Sequence, residues 1–325
     1  MKRLLLYILF AAFAFTSVQA YSLQEAKNWV NTQQYAKAVE AYRELMKSGA
    51  NARNADACKL YGQALCMTGA YAESVPYLLT ATKGNKSGAW WYLGISRQHL
   101  YDFSGAIEAL EKYKSTCRKD SHWIPRTDSI IAECEIGLKG INHVQDIVII
   151  DSMIVDRKSF FEYYRLGAES GKVRNGFFEN QAADYRLWAE VDSTQEYHLF
   201  EQHKFGNEWA DPQIIESIDA EGFALCFPFL RSDSETLFFA SNRTPGYGGF
   251  DIYKTHYNAE GESYFTPERL GMPFNSPFDD YLLAIDETHM VGWWATNRNV
   301  TDNEVCIYLF QFEEEPEYLP GPNTD

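Results

Sequence analysis

The sequence predicts a two-part chain: α-helical hairpins first, then an all-β region of repeating sheet units. Between residues 22 and about 139, apolar residues recur at helical spacing, as in Ala26, Trp29 and Val30, then Ala38, Val39, Tyr42 and Leu45. Beyond Gly140 the composition changes to β-branched and aromatic runs separated by turn residues. Within that region Ala240-Ser241-Asn242-Arg243, followed by Asp251-Ile252-Tyr253, returns 55 residues later as Ala295-Thr296-Asn297-Arg298, followed by Cys306-Ile307-Tyr308. Pro212 and Pro267, Ile215 and Leu270, and Phe239 and Trp294 keep the same offset. An echo rich in aromatic and β-branched residues marks a repeating unit, because each unit must bury its face on a neighbour.

Residues 1–20 read as an export signal. Lys2 and Arg3 precede an apolar stretch from Leu4 to Phe15, and Val18-Gln19-Ala20 offers small residues for cleavage. The stretch is shorter than the roughly 20 residues of a membrane helix, and no cysteine at the cleavage position argues for a lipid anchor. The expectation is an exported, soluble protein with no membrane span after cleavage. The formal charge is −16, and −18 once Lys2 and Arg3 leave. Without a cluster of Lys and Arg, nucleic acid is excluded as a partner, and the negative surface disfavours anionic lipid. Six cysteines (Cys58, Cys66, Cys117, Cys134, Cys226, Cys306) form neither a Cys-x-x-Cys pair nor a metal-like cluster with histidine. Cys117 and Cys134 are the one nearby pair worth testing for a bridge.

The helical region spans residues 21–140. Ser22 is an N-cap with Glu25 as its capping-box partner. Tyr35-x-x-Ala38-Val39 is matched by Tyr71-x-x-Ser74-Val75 and by Phe103-x-x-Ala106-Ile107, in steps of 36 and 32 residues, and Gly62 and Gly94 also lie 32 apart. The small residues Gly62, Gly94, Ala38 and Ala106 let helices approach, while Tyr35, Tyr71 and Phe103 fill the space beside them. This unit resembles the tetratricopeptide repeat, although the proline usual at the end of the second helix is absent. The resemblance implies a helical solenoid, with Asp128 to Leu138 as a capping helix and Gly140 ending it.

The β region spans residues 141–312, and an acidic, proline-containing tail covers 313–325. Predicted strands include Val144–Ile150, Met153–Val155, Phe160–Tyr164, Tyr185–Ala189, Tyr197–Phe200, Leu237–Ala240, Asp251–Lys254, Tyr281–Ala284, Val291–Ala295 and Cys306–Phe310. The unit from Leu237 through Asn242-Arg243 and Gly246-Tyr247-Gly248-Gly249 to Asp251-Ile252-Tyr253 resembles the TolB-like, WD-like β-propeller repeat. In that reading Gly246, Gly248 and Gly249 form a turn with positive φ. The second copy lacks these glycines and has Cys306 in place of Asp251. A weaker copy upstream aligns Trp188-Ala189 and Leu199-Phe200. Arg243 and Asp251 are read either as a ligand clamp or as a buried pair holding the glycine loop. The pair is preferred, since the second copy keeps Arg298 without the acid. Residues 141–312 hold only about three units of 55, fewer than the four to eight blades that usually close a propeller. The β region is therefore a partial or diverged propeller-like domain: an open arc, an assembly closed by another chain, or a domain of shorter blades. An open arc invites self-association through its edge.

Catalytic patterns are absent from the sequence: there is no Gly-x-Ser-x-Gly elbow, and the seven histidines are scattered, His198 and His203 coming nearest to a cluster. Asp211, Asp219, Asp251, Asp279 and Asp280 are the acids a propeller glycosidase could use, but Asp279-Asp280 reads as a solvent-facing connection. Trp209 and one of Trp293 and Trp294 could stack on sugar rings, whereas Trp90-Trp91 reads as packing. No catalytic, cofactor or metal residues are expected. The resemblances imply a non-catalytic interaction scaffold in the periplasm of a Gram-negative, Bacteroidetes-type cell envelope, within an outer-membrane-associated or secretion-related assembly. A glycan-binding module is the alternative, and a glycoside hydrolase a weaker one.

Overall fold

The structure, a computed structural model, describes residues 21–118, 121–174, 176–192, 197–219 and 222–321. The export signal read into residues 1–20 and the last four residues of the acidic tail lie outside them. Among the described residues, no helix is long and apolar enough to cross a membrane.

The N-terminal half is helical: α1 (Leu23–Asn31), α2 (Tyr35–Leu45), α3 (Ala55–Met67), α4 (Tyr71–Lys83), α5 (Gly88–His99), α6 (Phe103–Thr116) and α7 (Trp123–Gly140). The capping box forms as expected: Ser22 Oγ accepts from the Glu25 N–H, and the Glu25 carboxylate accepts from the Ser22 N–H at 2.9 Å. Helix α7 begins before Asp128 because Pro125 falls in its first turn, where backbone N–H groups have no intrahelical acceptor.

Each helix packs on the next, and α3 also touches α1 and α5. The small residues do the work assigned to them. A Cβ on Gly62 would sit 2.6 Å from Leu78 Cγ of α4, and one on Gly94 equally close to Leu110 Cγ of α6. Ala38 and Ala106 are fully buried, and Ser74, in their place on α4, bonds the Ser96 hydroxyl at 2.7 Å. Each hairpin turns through a residue with positive φ, two positions before the aromatic that opens the next helix: Gln33 (57°), Gly69 (76°) and Tyr101 (61°). Gly140 ends α7 for a different reason from the one expected. Its φ is not positive; a side chain there would strike the Tyr247 ring of the β half.

Among the described residues, the C-terminal half holds three antiparallel sheets. The strand β1 (Ile149–Asp156) is set aside for the last of them. Sheet one contains β2 (Lys172–Arg174), β3 (Phe177–Glu179), β4 (Tyr185–Val191) and β5 (Tyr197–Phe205), with the short β6 (Glu208–Trp209) and β7 (Gln213–Ile214) on β5. Sheet two contains β8 (Leu225–Leu230), β9 (Thr236–Ser241) and β10 (Asp251–Asn258), with β11 (Ser263–Tyr264) and β12 (Glu268–Arg269) on β10. Sheet three runs β13 (Asp280–Asp286), β14 (Val291–Thr296), β15 (Glu304–Gln311) and finally β1, so its outer strand comes from the start of the β half. One hydrophobic core threads all three, through Phe178 and Leu187, Leu225 and Phe239, and Leu282 and Ile307 among others.

Two strand expectations are corrected. Phe160–Tyr163 is a 3-10 turn, which lets the adjacent rings of Phe160 and Phe161 meet at 4.0 Å and both face Phe227; a strand would send them to opposite sides. Val144–Ile150 is mostly irregular, joined to the tail by a Gln145–Tyr318 bridge before β1 begins. Strand β8 was not predicted because Pro228 interrupts it; the chain absorbs the proline with a register shift and a positive φ at Phe227 (55°). Cys117 and Cys134 do not bridge, and all six cysteines are free thiols.

Replacing Gly94 by Val forces Leu110 to move and is expected to lower unfolding free energy by ~1–3 kcal/mol in urea titration. An unchanged midpoint would mean that the α5–α6 crossing is looser than described.

Candidate functional site: a cleft between the two halves

The sequence echo is a structural one. Asn242 Oδ1 accepts the Ala224 N–H at 2.8 Å, and Asn297 Oδ1 accepts the Asp279 N–H at 2.9 Å, so both asparagines tie down the start of the preceding strand. Arg243 donates to the Ile218 carbonyl, and Arg298 to the carbonyl of Pro273, at the same sequence distance. Stacked cross-strand rings follow: Phe239 on Tyr253 at 5.7 Å, and Trp294 on Tyr308 at 4.9 Å. Trp188 on Phe200, at 5.8 Å, places a third such pair in sheet one. Each arginine lies over its stack, Arg243 5.6 Å from Tyr253 and Arg298 4.4 Å from Trp294.

The Arg243–Asp251 pair is not formed. Asp251 accepts from Arg269 Nε at 3.0 Å and from the Tyr247 N–H at 2.8 Å, because Arg269 on β12 crosses beside β10 while Arg243 is drawn back over Phe239 and Tyr253. Nor do Gly246, Gly248 and Gly249 turn with positive φ. They are small because the loop lies against Asp251, the Pro277 backbone and the Asp279 carboxylate, which a Cβ would meet. Asp280 does not face solvent. It is fully buried and paired with Arg298 at 2.7 Å, while Ser276 Oγ donates to its other oxygen at 2.8 Å. Asp279, half-buried, receives the Phe250 N–H and the Asn297 amide.

These residues form a polar joint where the halves meet. Tyr101, from the α5–α6 turn, lies close enough to this joint for the charges of Arg298 and Asp280 to act on its hydroxyl, whose pKa burial raises. Burial raises the Asp280 carboxyl to about 6 against the pull of Arg298. Burial likewise raises Asp251 to about 7, with the charges of Asp280 and Glu133 adding to the effect. Glu133 on α7, held by the Gln98 amide at 3.0 Å, is raised by burial to about 7. Tyr247 and Met272 of the β half join Phe103, Ala106 and Cys134 in one apolar cluster beside this joint.

In front of the joint opens a cleft of about 1040 Å³. Its helical wall is the two hairpin turns carrying Gln33 to Lys37 and Met67 to Tyr71; its β wall is Ile154, Phe278 and the Asn297–Glu304 loop. Phe278 wedges against the helical wall, 5.0 Å from the His99 ring and 6.2 Å from Tyr71, and His99 stacks on Tyr71 at 4.2 Å. Burial lowers the His99 pKa, so the imidazole is neutral at pH 7 and its Nδ1–H donates to the Ile95 carbonyl. Tyr35, Tyr71 and Asn297 thus share one surface, whereas Asp251 and Arg298 belong to the joint and Arg243 is held at the Ile218 carbonyl. Met67, Phe278 and Ile154 were not singled out from the sequence, because exposure at the end of a helix or on an edge strand leaves no periodic signature.

The remaining candidates are scattered. His198 bonds Asp219 at 2.9 Å, which raises its pKa, while His203 lies over Tyr185. Trp293 and Trp294 are both buried, and Trp209 is covered by the Arg186 guanidinium at 4.1 Å. Asp286 Oδ1 accepts from Ser170 Oγ and from the His289 N–H, and its Oδ2 bonds the His289 ring. The chain matches no known protein-family model, and no curated protein matches it.

Glu133 ionises less readily in the folded protein than in the unfolded chain, so its contribution to stability is full below about pH 4.5 and fades as pH rises through about 7. Glu133→Gln is therefore expected to gain stability relative to the parent over that window, by on the order of 2–3 kcal/mol. Denaturant titrations at pH 4.5 and 8 measure it; a constant difference would refute it. Arg298→Met strands a buried carboxylate and is expected to cost about 3–5 kcal/mol at pH 8, with a smaller loss at pH 5, where Asp280 is protonated.

Proposed function

We propose that this chain is a non-catalytic protein–protein interaction scaffold, exported to the periplasm of a Gram-negative cell and working in an envelope or secretion-related assembly. The observation that carries the reading is the cleft: both halves build it, and it presents Met67 (51% exposed) and Ile154 (60% exposed) to solvent. Large apolar side chains held open at a groove favour a partner that buries them. The buried carboxylates support the same reading, since Asp251 and Asp280 are sealed against arginines instead of facing a substrate space.

In this proposal the helical hairpins are tetratricopeptide repeats and the sheets are three diverged propeller blades. The recurrent turns, small-residue crossings and stacked ring pairs support both assignments. That β1 completes the last sheet from the start of the domain favours shorter blades over an arc needing another chain.

One observation favours the glycan alternative. A groove of about 870 Å³ between sheets one and two is lined by Tyr185, Tyr257, Tyr264 and His203 with Asp184 and Glu201, a mixture of rings and acceptors suited to sugar hydroxyls.

Affinity capture from envelope extract is expected to recover a stoichiometric partner that Met67→Glu loses, with at least about tenfold weaker binding of the purified pair. Capture unaffected by Met67→Glu would refute the cleft reading. Glycan-array binding abolished by Tyr257→Ala would replace it with the sugar-binding one.

A further inference from the structure

The outer strand of sheet three carries an edge that no other described strand covers. Strand β1 ends the order β1-β15-β14-β13 and pairs with β15 alone. The Arg157 N–H donates to the Asn303 carbonyl at 2.9 Å. In an antiparallel pair the pointing direction alternates, so Val155 and Met153 also direct their backbone groups at β15, and Ser152, Ile154 and Asp156 direct theirs away. The Ser152 N–H accordingly bonds a neighbouring side chain, Asp151 Oδ1, at 2.8 Å.

This edge is guarded by neither proline nor lysine. Val148, Ile149, Ile150 and Ile154 are 43–60% exposed, and no proline or lysine occurs between residues 144 and 156. Its charged groups are carboxylates. Asp151 and Asp156 are exposed on the strand, Glu304 stands opposite Asp156, and Glu317 lies beside Asp146 where the tail continues the pairing.

We propose that the free edge of β1 takes an extended segment of a partner protein as an added strand, and that this segment carries basic and apolar residues. The backbone groups of Ser152, Ile154 and Asp156 supply the pairing, the exposed isoleucines take the apolar side chains, and the carboxylates take the basic ones. A second copy of this chain suits the edge less well, since each copy has a formal charge of −16 and would set its edge acids against their equivalents. The proposal deepens the scaffold reading and rests on it, at an edge contiguous with the cleft through Ile154.

The test uses the full chain and a fluorescein-labelled decapeptide of alternating lysine and valine. Fluorescence anisotropy is expected to give saturable binding, weakened at least tenfold by Ser152→Pro, because proline removes an outward N–H and is tolerated on the open side of an edge strand. The same peptide with a central proline, equal in charge, is expected to bind at least tenfold more weakly. Asp151→Lys/Asp156→Lys is expected to switch preference to a glutamate–valine peptide, which keeps the test decisive if Ser152→Pro does not fold. Equal binding of the proline-containing peptide, or no switch in charge preference, overturns the proposal. A concentration-dependent dimer in sedimentation velocity that Ser152→Pro dissolves also overturns it, by assigning the edge to a second copy. The peptide titration reads the β1 edge alone, whereas capture with Met67→Glu reads the cleft, so failure here is separable from failure of the cleft reading.

Discussion

The buried ion pair between Asp280 and Arg298 is the constraint around which the two halves are arranged. A carboxylate and a guanidinium taken out of water are tolerated only when their remaining hydrogen-bonding capacity is met. Here Ser276 donates to the second oxygen of Asp280, the guanidinium reaches the carbonyls of Pro273 and Phe274, and the Trp294 face lies beneath it. On the helical side, Tyr101 of the α5–α6 turn lies in the field of the same pair, and His99 at the end of α5 packs against Phe278, two residues before Asp280. The pair therefore fixes sheet three and the segment leading into it, against which the α5–α6 turn rests. Tyr101 itself has a positive φ, a conformation costly for a bulky residue.

That arrangement sets the shape of the cleft. With the α5–α6 turn held on sheet three, Phe278 meets Tyr71 and His99, and the two preceding hairpin turns project over the Asn297–Glu304 loop. The helical hairpins keep a regular step because Gly62 and Gly94 permit the same close crossing twice. The apolar residues of the cleft are exposed because the packing on either side is complete without them.

Much of this was legible in the chain. The capping box at Ser22, the hairpin step read from Tyr35, Tyr71 and Phe103, and the roles of Gly62, Gly94, Ala38 and Ala106 followed from side-chain size and period. So did the correspondence of Phe239 with Trp294 and of Asn242 with Asn297. Partner choice among charges was not legible: Asp251 lay within reach of Arg243 in sequence, yet bonds Arg269. The glycines of the 246–249 loop were read as turn formers, but steric proximity to Pro277 and Asp279 explains them. Pro228 hid a strand, and the neighbouring aromatics Phe160 and Phe161 suggested one where a turn was needed.

The sequence by itself determined local matters: that the first half is helical and that the second is built of strands. Those depend on period, propensity and the identity of residues a few positions apart. Only the tertiary structure decided which acid meets which arginine, that β1 leaves the start of the β half to complete its last sheet, and that the two halves share a cleft. Each of these joins residues more than about a dozen positions apart, and the outcome rests on burial and competition for hydrogen-bond partners, which no short stretch of chain records.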